Sequence, residues 1–312
     1  MELDEAQRTT FSARDFTSDP LPDATLYRIL ERARFAPSGG NRQGWRVIVV
    51  RDRATREALA ALNAPAAKRY AAQVANGESP WNTIDPPRVD AATIERTTPP
   101  ARLTESVLKA AAVLAKILDQ ARFAPSGGNR QGWRVIVVRE PATKRALGDL
   151  SAFAGRRYAA QAANGESPWN TIDPPRVDAA TIERTQVPAR LTEAIATAPV
   201  VLVVCVDLKV VASIDQDLKR VGIISGASIY PFAWNILLAA RHEGFGGTIT
   251  TLATAKEPEI KKLLGIPPHI AVCAVMPLGR PVRMLARLKR KPVAEFATRE
   301  RFDGAPFGSQ AR

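Results

Sequence analysis

Apolar positions divide this chain into short β-branched runs and longer stretches of helical period. The runs at 45–50 and 133–138 (both "WRVIVV"), 199–206 ("PVVLVVCV") and 270–279 ("IAVCAVMPLG") read as buried strands, short and rich in Val and Ile. Leu26, Ile29, Leu30 and Ala33 recur at helical spacing behind the acidic entry "SDPLPD", which predicts a helix over about 24–34. A longer helix is expected over about 103–122, and "KEPEIKKLLGIPP" gives a short one stopped by Gly265 and two prolines. Residues 222–242 are apolar almost all round, as in a helix buried inside a domain or a dimer. Pro231 should kink that helix or mark its start, and "GFGG" at 244–247 ends it.

The pattern repeats. "ARFAPSGGNRQGWRVIVVR" at 33–51 recurs unchanged at 121–139, an offset of 88 residues, and 70–97 recurs at 158–185 with only Val74 replaced by Ala162. Between these blocks the apolar Ala58, Leu59 and Leu62 match Ala146, Leu147 and Leu150 while polar positions differ, so one helical face is kept. Two copies with unique sequence on both sides do not make a solenoid, which needs at least about three stacked units. The expected organisation is a single domain over 1–312 carrying an 88-residue tandem duplication, about 28–115 and 116–203. Neither copy has both native neighbours: the unique segment 11–23 precedes copy 1, and the strand at 199–206 follows copy 2.

Composition narrows the function. The chain has 312 residues, 46% hydrophobic and 24% charged, and no apolar run reaches the ~18–20 residues that span a bilayer. Its acidic, polar start is unlike a signal peptide, so a cytoplasmic protein without a membrane partner is expected. Cys205 and Cys273 lie inside apolar runs and read as buried free thiols; with only two histidines, metal chemistry is not expected. The net charge of +13 raises nucleic-acid binding. Against it, the basic residues are spread along the chain apart from "RLKRK" at 287–291, and no nucleic-acid motif appears, which favours a basic protein that binds anionic cofactors.

"PSGGN" places two glycines between a serine and an asparagine, at a helix-to-strand junction. Glycine lets backbone N–H groups approach a ligand closely, and Ser and Asn add short directional hydrogen bonds. Alone, such a stretch reads first as a plain turn. Three further features accompany it: Ser12 and Arg14 in "FSARDF", able to face one anion together; the backbone of "GFGGT" at 244–248; and the late cations of "LKRKP" at 288–292. In this order, with "DPLP" near the N-terminus, they resemble the nitroreductase family of flavin enzymes, over essentially the whole chain once the duplication is discounted.

That resemblance implies an α+β, nitroreductase-like fold, with a central, mostly antiparallel sheet flanked by helices and a long buried interface helix. It further implies a homodimer with FMN in interfacial clefts. Ser12 and Arg14 match residues on the phosphate, ribityl and pyrimidine side of FMN. Pro37, Ser38, Asn41 and Gln43, or Pro125, Ser126, Asn129 and Gln131, match the loop that a partner subunit lays on the flavin. Gly246 and Gly247 match the backbone near flavin N5, and Arg290 matches the late basic residue on the phosphate. The implied reaction moves hydride from NAD(P)H through flavin N5 to a small acceptor (nitroaromatic, quinone or enone) in ping-pong fashion, with no catalytic side chain and no metal. Arg14, Arg69 or Arg157 would steady the reduced flavin.

The chain departs from the family pattern at Thr10, where an arginine is common, and at Gly44 and Gly132, where a proline is usual; Lys289 or Lys291 can replace the missing charge. Trp81 and Trp169, in the repeated "GESPWNTIDPP", either cover the cleft and select acceptors or pack on the domain in a proline-stiffened loop. Other functions stay open: a flavin-storage protein without catalysis, and a basic nucleic-acid binder. Three arrangements of the duplicate are open too. One copy can be extruded, the two strands can compete for one slot, or one chain can supply both halves of a cleft. The first is the working expectation, with copy 1 providing the helix and loop and copy 2 bulging out until 199–206.

Overall fold

The computed structural model describes residues 22–36, 43–50, 112–282 and 289–308, with residues 2, 5, 6, 52, 54, 55, 58, 59, 69, 72, 73, 75–78, 88, 90 and 93. Along the chain run α1 (Asp23–Ala33), β1 (Val47–Val49), α2 (Ala112–Ala121), β2 (Trp133–Val138) and α3 (Pro141–Ala163). They are followed by α4 (Ala179–Arg184), α5 (Glu193–Thr197), β3 (Val200–Asp207), α6 (Tyr230–His242) and β4 (Gly246–Gly247). Last come α7 (Glu257–Leu264), β5 (Ile270–Gly279) and β6 (Ala297–Arg299).

β2, β3, β5 and β4 form one sheet in that order, with every neighbouring pair antiparallel. β1 and β6 make a separate parallel pair, so the fold is α+β with a mostly antiparallel sheet. The central strand β3 explains the layering. Leu202, Val204 and Val206 point to one face, where Phe232, Ala233 and Ile236 of α6 and Ile117 of α2 close over them. Val201, Val203 and Cys205 point to the other, against Leu147 of α3, Ile195 of α5 and Ile260 of α7. Val201 to Val204 are fully buried, and each such side chain contributes about 1.5–3 kcal/mol. A third, smaller cluster joins Leu30 and Val49 to Phe296, Ala297 and Phe307 of the C-terminal segment.

Pro231 stands in the first turn of α6 and marks its start. The residues ahead of it form a 3-10 turn, Ile224–Ser228, instead of more helix. Asp215 organises that approach: buried itself, it accepts from Ile223 N (2.8 Å) and from the Arg220 guanidinium (2.6 Å). α7 ends as expected on Gly265 in the left-handed region, φ 65°.

The working expectation for the duplicate is corrected as far as the packing of the sheet is concerned. Copy 2, not copy 1, supplies the helix, loop and strand that pack on α6 and β3. Steric fit is the reason. A Cβ on Gly148 would lie 3.0 Å from Thr192 O, and one on Gly155 2.9 Å from Val187 Cγ1, so α3 can approach residues 187–192 only through glycine. Copy 1 has Ala60 and Ala67 at these places, and Pro65 where α3 has Phe153. A proline inside a helix costs about 3 kcal/mol. Lys144 Nζ fixes the same contact through Ala198 O (2.7 Å), where copy 1 carries Arg56.

Candidate functional site

In copy 2 the loop between α2 and β2 closes on itself. Gly127–Asn129 form a 3-10 turn with Gly128 at φ 60°, and Asn129 and Gln131 also take positive φ (54° and 51°). Ser126 Oγ accepts from Gln131 N (3.0 Å), and the Gln131 amide donates to Asn129 Oδ1 (3.3 Å). Ser228, just ahead of α6, accepts from Gly127 N (3.0 Å) and moors the loop to the sheet domain. Sequence reading missed Ser228, which lies in an apolar stretch; an isolated hydroxyl there was the available signal. Pro125 precedes this turn, and the side chains of Ser126, Asn129 and Gln131 remain at least partly exposed.

Gly246 and Gly247 build β4, an edge strand. Gly246 faces Gly279 in the register that makes Thr250 and Val275 exchange both backbone hydrogen bonds. Antiparallel alternation therefore turns the N–H and C=O of Gly247 to the uncovered edge. No side chain fits at Gly247, because a Cβ would collide with Leu278 Cδ2 and Pro277 O. The resulting surface is bare backbone beside the end of α6.

Arg290 meets copy 1. Lys291 N donates to Gln43 Oε1 (2.8 Å), and the Arg34 guanidinium donates to Lys291 O (3.1 Å). The Arg34 and Arg290 guanidinium carbons lie 5.1 and 6.0 Å from the Phe35 ring centre. Arg290 Nε is buried without a hydrogen-bond partner among the described residues. Thus the structure brings Gln43, Arg290 and Lys291 together, and gathers Ser126, Asn129 and Gln131 in a turn that Gly127 ties to Ser228. Ser12, Arg14, Pro37, Ser38, Asn41 and Trp81 lie outside the described residues.

Trp169 is pinned to α3. Its Nε1 donates to Ala154 O (3.4 Å), its N donates to Gln161 Oε1 (3.2 Å), and Arg157 lies 4.0 Å above its ring. The turn ahead of it is held by Glu166, whose carboxylate accepts from Asn164, Gln161, Arg176 N and Val177 N. The Asn164 and Gln161 amides, with those backbone donors, hold its carboxyl down at about 2. Copy 1 repeats this turn: Glu78 accepts from Asn76 (2.6 Å), Gln73 and Arg88 N.

Cys205 and Cys273 are free; burial foremost pushes their thiols up to about 11 and 12. Two hollows of about 390 and 360 Å³ lie elsewhere, one at Glu257, Lys261 and Pro268, the other at Arg134, Asp207 and His269. Candidate cofactor residues line neither. No helix among the described residues is long and apolar enough to cross a membrane.

Comparison with known proteins gives these features a setting. NADH dehydrogenase of Thermus thermophilus is 52% identical over 48 residues, 15% of this chain and 23% of that protein. Iodotyrosine deiodinase 1 of Pongo abelii is 26% identical over 195 residues, 59% of each chain. The chain thus matches less than two thirds of the length of either curated relative. Among solved structures, a BluB-like flavoprotein from Clostridium difficile 630 aligns with TM-score 0.44 at 18% identity, covering 61% of this chain and 90% of that one. An iodotyrosine deiodinase bound to FMN and 3-iodo-L-tyrosine aligns with TM-score 0.39 at 20% identity, covering 57% and 83%. The model of the Nitroreductase family matches residues 7–94 and 106–280, so that most of copy 1 falls in the first segment and all of copy 2 in the second. On the strength of that match, most of its length, the chain belongs to the nitroreductase family.

Proposed function

We propose that the protein is a cytoplasmic, homodimeric FMN-dependent oxidoreductase that takes reducing equivalents from NAD(P)H and passes them to a small nitroaromatic, quinone or enone. What supports this reading is that the chain carries two donor surfaces, each of a kind that suits one end of FMN. Gly247 offers backbone N–H and C=O on an open edge where no side chain fits. Arg290 offers a part-exposed guanidinium, the kind of charged donor that binds phosphate. Gln43 stands beside Lys291, which supports the loop of copy 1 as the one that joins Arg290 over the cofactor. When bound, FMN supplies the hydride chemistry; the chain's residues bind it, orient it and keep water from its face. Exposed Leu218, Val221, Ile223 and Tyr230, leading into α6, support a subunit contact.

The absorbance spectrum of the purified protein tests the reading. A yellow protein that NAD(P)H bleaches without oxygen is the expected result; a yellow protein that does not bleach is a storage protein, and a colourless one with salt-dependent DNA affinity is a nucleic-acid binder. Asn41→Ala and Asn129→Ala, made separately, assign the loop. FMN loss should follow Asn41→Ala by at least about tenfold, one charge-free hydrogen bond to a bound ligand being worth roughly 1.4 kcal/mol. Equal loss in both variants would defeat the assignment to copy 1.

A further inference from the structure

At the end of the sheet where β2 and β5 begin and β3 stops lies the hollow of about 360 Å³. That volume is within the range in which proteins hold small molecules, roughly 300–1,000 Å³. Its floor is apolar, made by Ile136, Cys205, Ile266 and Ile270, of which the last three are buried. Strand alternation puts charge on the rim. Arg134 stands two residues from Ile136, and Asp207 two from Cys205, so both project on the face those residues share. The register sets Arg134 opposite Cys205, which makes Arg134 and Asp207 diagonal neighbours, about 7–8 Å apart at the backbone.

Opposite charges so placed commonly pair, but backbone groups hold these two apart. The Arg134 guanidinium donates to Trp133 O (2.8 Å), and Asp207 Oδ1 accepts from Lys209 N (2.9 Å). No ion pair joins them among the described residues, and the His269 side chain on the same rim makes no hydrogen bond there. Arg46 of copy 1 donates to Trp45 O in the same manner (3.0 Å), so the arginine's posture is local. The rest of the hollow belongs to copy 2 alone, because β1 pairs with Ala297–Arg299 and not with β3. The far wall is stiff: Gly265 turns the chain at φ 65°, and Pro267 and Pro268 follow it. Ile266 N donates to Lys261 O (2.9 Å), Ile270 N to Pro267 O (3.1 Å) and Leu208 N to His269 O (3.0 Å). A wall set in advance leaves little for a ligand to order.

We infer that this hollow binds a small zwitterion with an apolar side chain, an α-amino acid of the leucine or phenylalanine kind. Arg134 takes the carboxylate, Asp207 takes the ammonium group, and the side chain lies on the floor between Ile136 and Ile270. His269 supplies a further polar contact at the rim. A simple acid would bring its charge up to Asp207, and a simple amine would bring its own up to Arg134. The two rim charges therefore reject both and accept the molecule that carries both. Nothing in this arrangement requires flavin, and no candidate cofactor residue takes part, so it stands apart from the proposed function.

Titration calorimetry of the full chain tests this with phenylalanine, hydrocinnamate and phenethylamine, which share a ring and differ in their charges. Phenylalanine should bind at least about tenfold more tightly than either analogue, since each lacks one charge-assisted contact. Arg134→Gln should weaken phenylalanine about tenfold and leave phenethylamine no weaker. Asp207→Asn, which keeps an acceptor for Lys209 N, should weaken phenylalanine alike and leave hydrocinnamate no weaker. A variant that merely misfolds cannot produce this reciprocal pattern. The unaltered chain gives a second readout: it has two histidines, and phenylalanine should move the ring signals of His269 in proton NMR while those of His242 stay. His269→Gln assigns the signal. Equal affinity for the three probes, no binding at saturating probe, or binding untouched by both substitutions overturns the inference. A colourless protein that binds phenylalanine ends the flavin reading and keeps this one; a yellow protein that does not bind it has the opposite meaning.

Discussion

Residues 33–51 and 121–139 are the same peptide in two settings, and the contrast separates what a segment encodes from what it borrows. Local features survive the change of place. Arg34 pairs with Glu31 and Arg122 with Asp119 at the same spacing, Gln43 and Gln131 share a φ near 50°, and Glu78 and Glu166 collect the same amide donors. Long-range features do not survive. Trp133 stacks on Phe232 at 4.8 Å in the main core, while Trp45 packs on the small C-terminal cluster. The strand of copy 2 runs antiparallel to β3, and that of copy 1 parallel to β6. Turns are written in their own residues; strand partners are assigned by whatever surface is at hand.

The largest expected break is at the tryptophans. Trp133→Ala should cost about 3–5 kcal/mol in denaturant unfolding, as large-to-small core changes do. Trp45→Ala should cost about 1–2 kcal/mol, because the cluster it serves is small. Equal costs would mean that the two settings are energetically alike. Next comes the exchange of helix residues: Phe153→Pro, which gives α3 the residue of copy 1, should cost about 3 kcal/mol. Gly155→Ala alone should cost about 1–3 kcal/mol through its contact with Val187. Ala67→Gly in copy 1 should change stability little, and a large gain there would show that copy 1 was near to taking the place of copy 2.

The acidic turns give a smaller effect. The Glu166 carboxyl is held at about 2, below its ordinary 4.5, so its stabilisation of the turn is complete above about pH 4.5 and is lost as pH falls toward 2. Near-ultraviolet circular dichroism of Trp169 should report that loss, and Glu166→Gln should abolish its pH dependence. The smallest effect is chemical. With thiols at about 11 and 12, Cys205 and Cys273 should resist alkylation at mildly alkaline pH until the chain unfolds.

Much of the sheet domain was legible because its signals are local. β5 occupies Ile270–Gly279 as its apolar run indicates, β2 occupies Trp133–Val138, and α1 starts one residue before its expected bound. The choice between copies was not legible from apolar periodicity. It rests on Gly148 and Gly155, whose signal is a missing side chain, and on Phe153 where copy 1 has Pro65, within segments whose apolar face is the same. β6 gave no pattern, since "ATR" is a strand only because β1 lies beside it. Of the proposed site, the glycines of β4 and Arg290 were singled out by motif order, but the meeting of Gln43 with Lys291 joins residues 248 apart and no spacing rule reaches it.

Gly247 has a consequence for how this family member can diverge. Under the proposed function, the groups that position 247 turns to the cofactor are amide and carbonyl, common to every amino acid, while the requirement for glycine comes from Leu278 and Pro277 behind the strand. Selection for packing therefore guards the recognition surface indirectly. Mutational scanning of residue 247 would register misfolding and stay blind to binding. Replacing its amide with an ester, by chemical synthesis, is the change that addresses the contact itself.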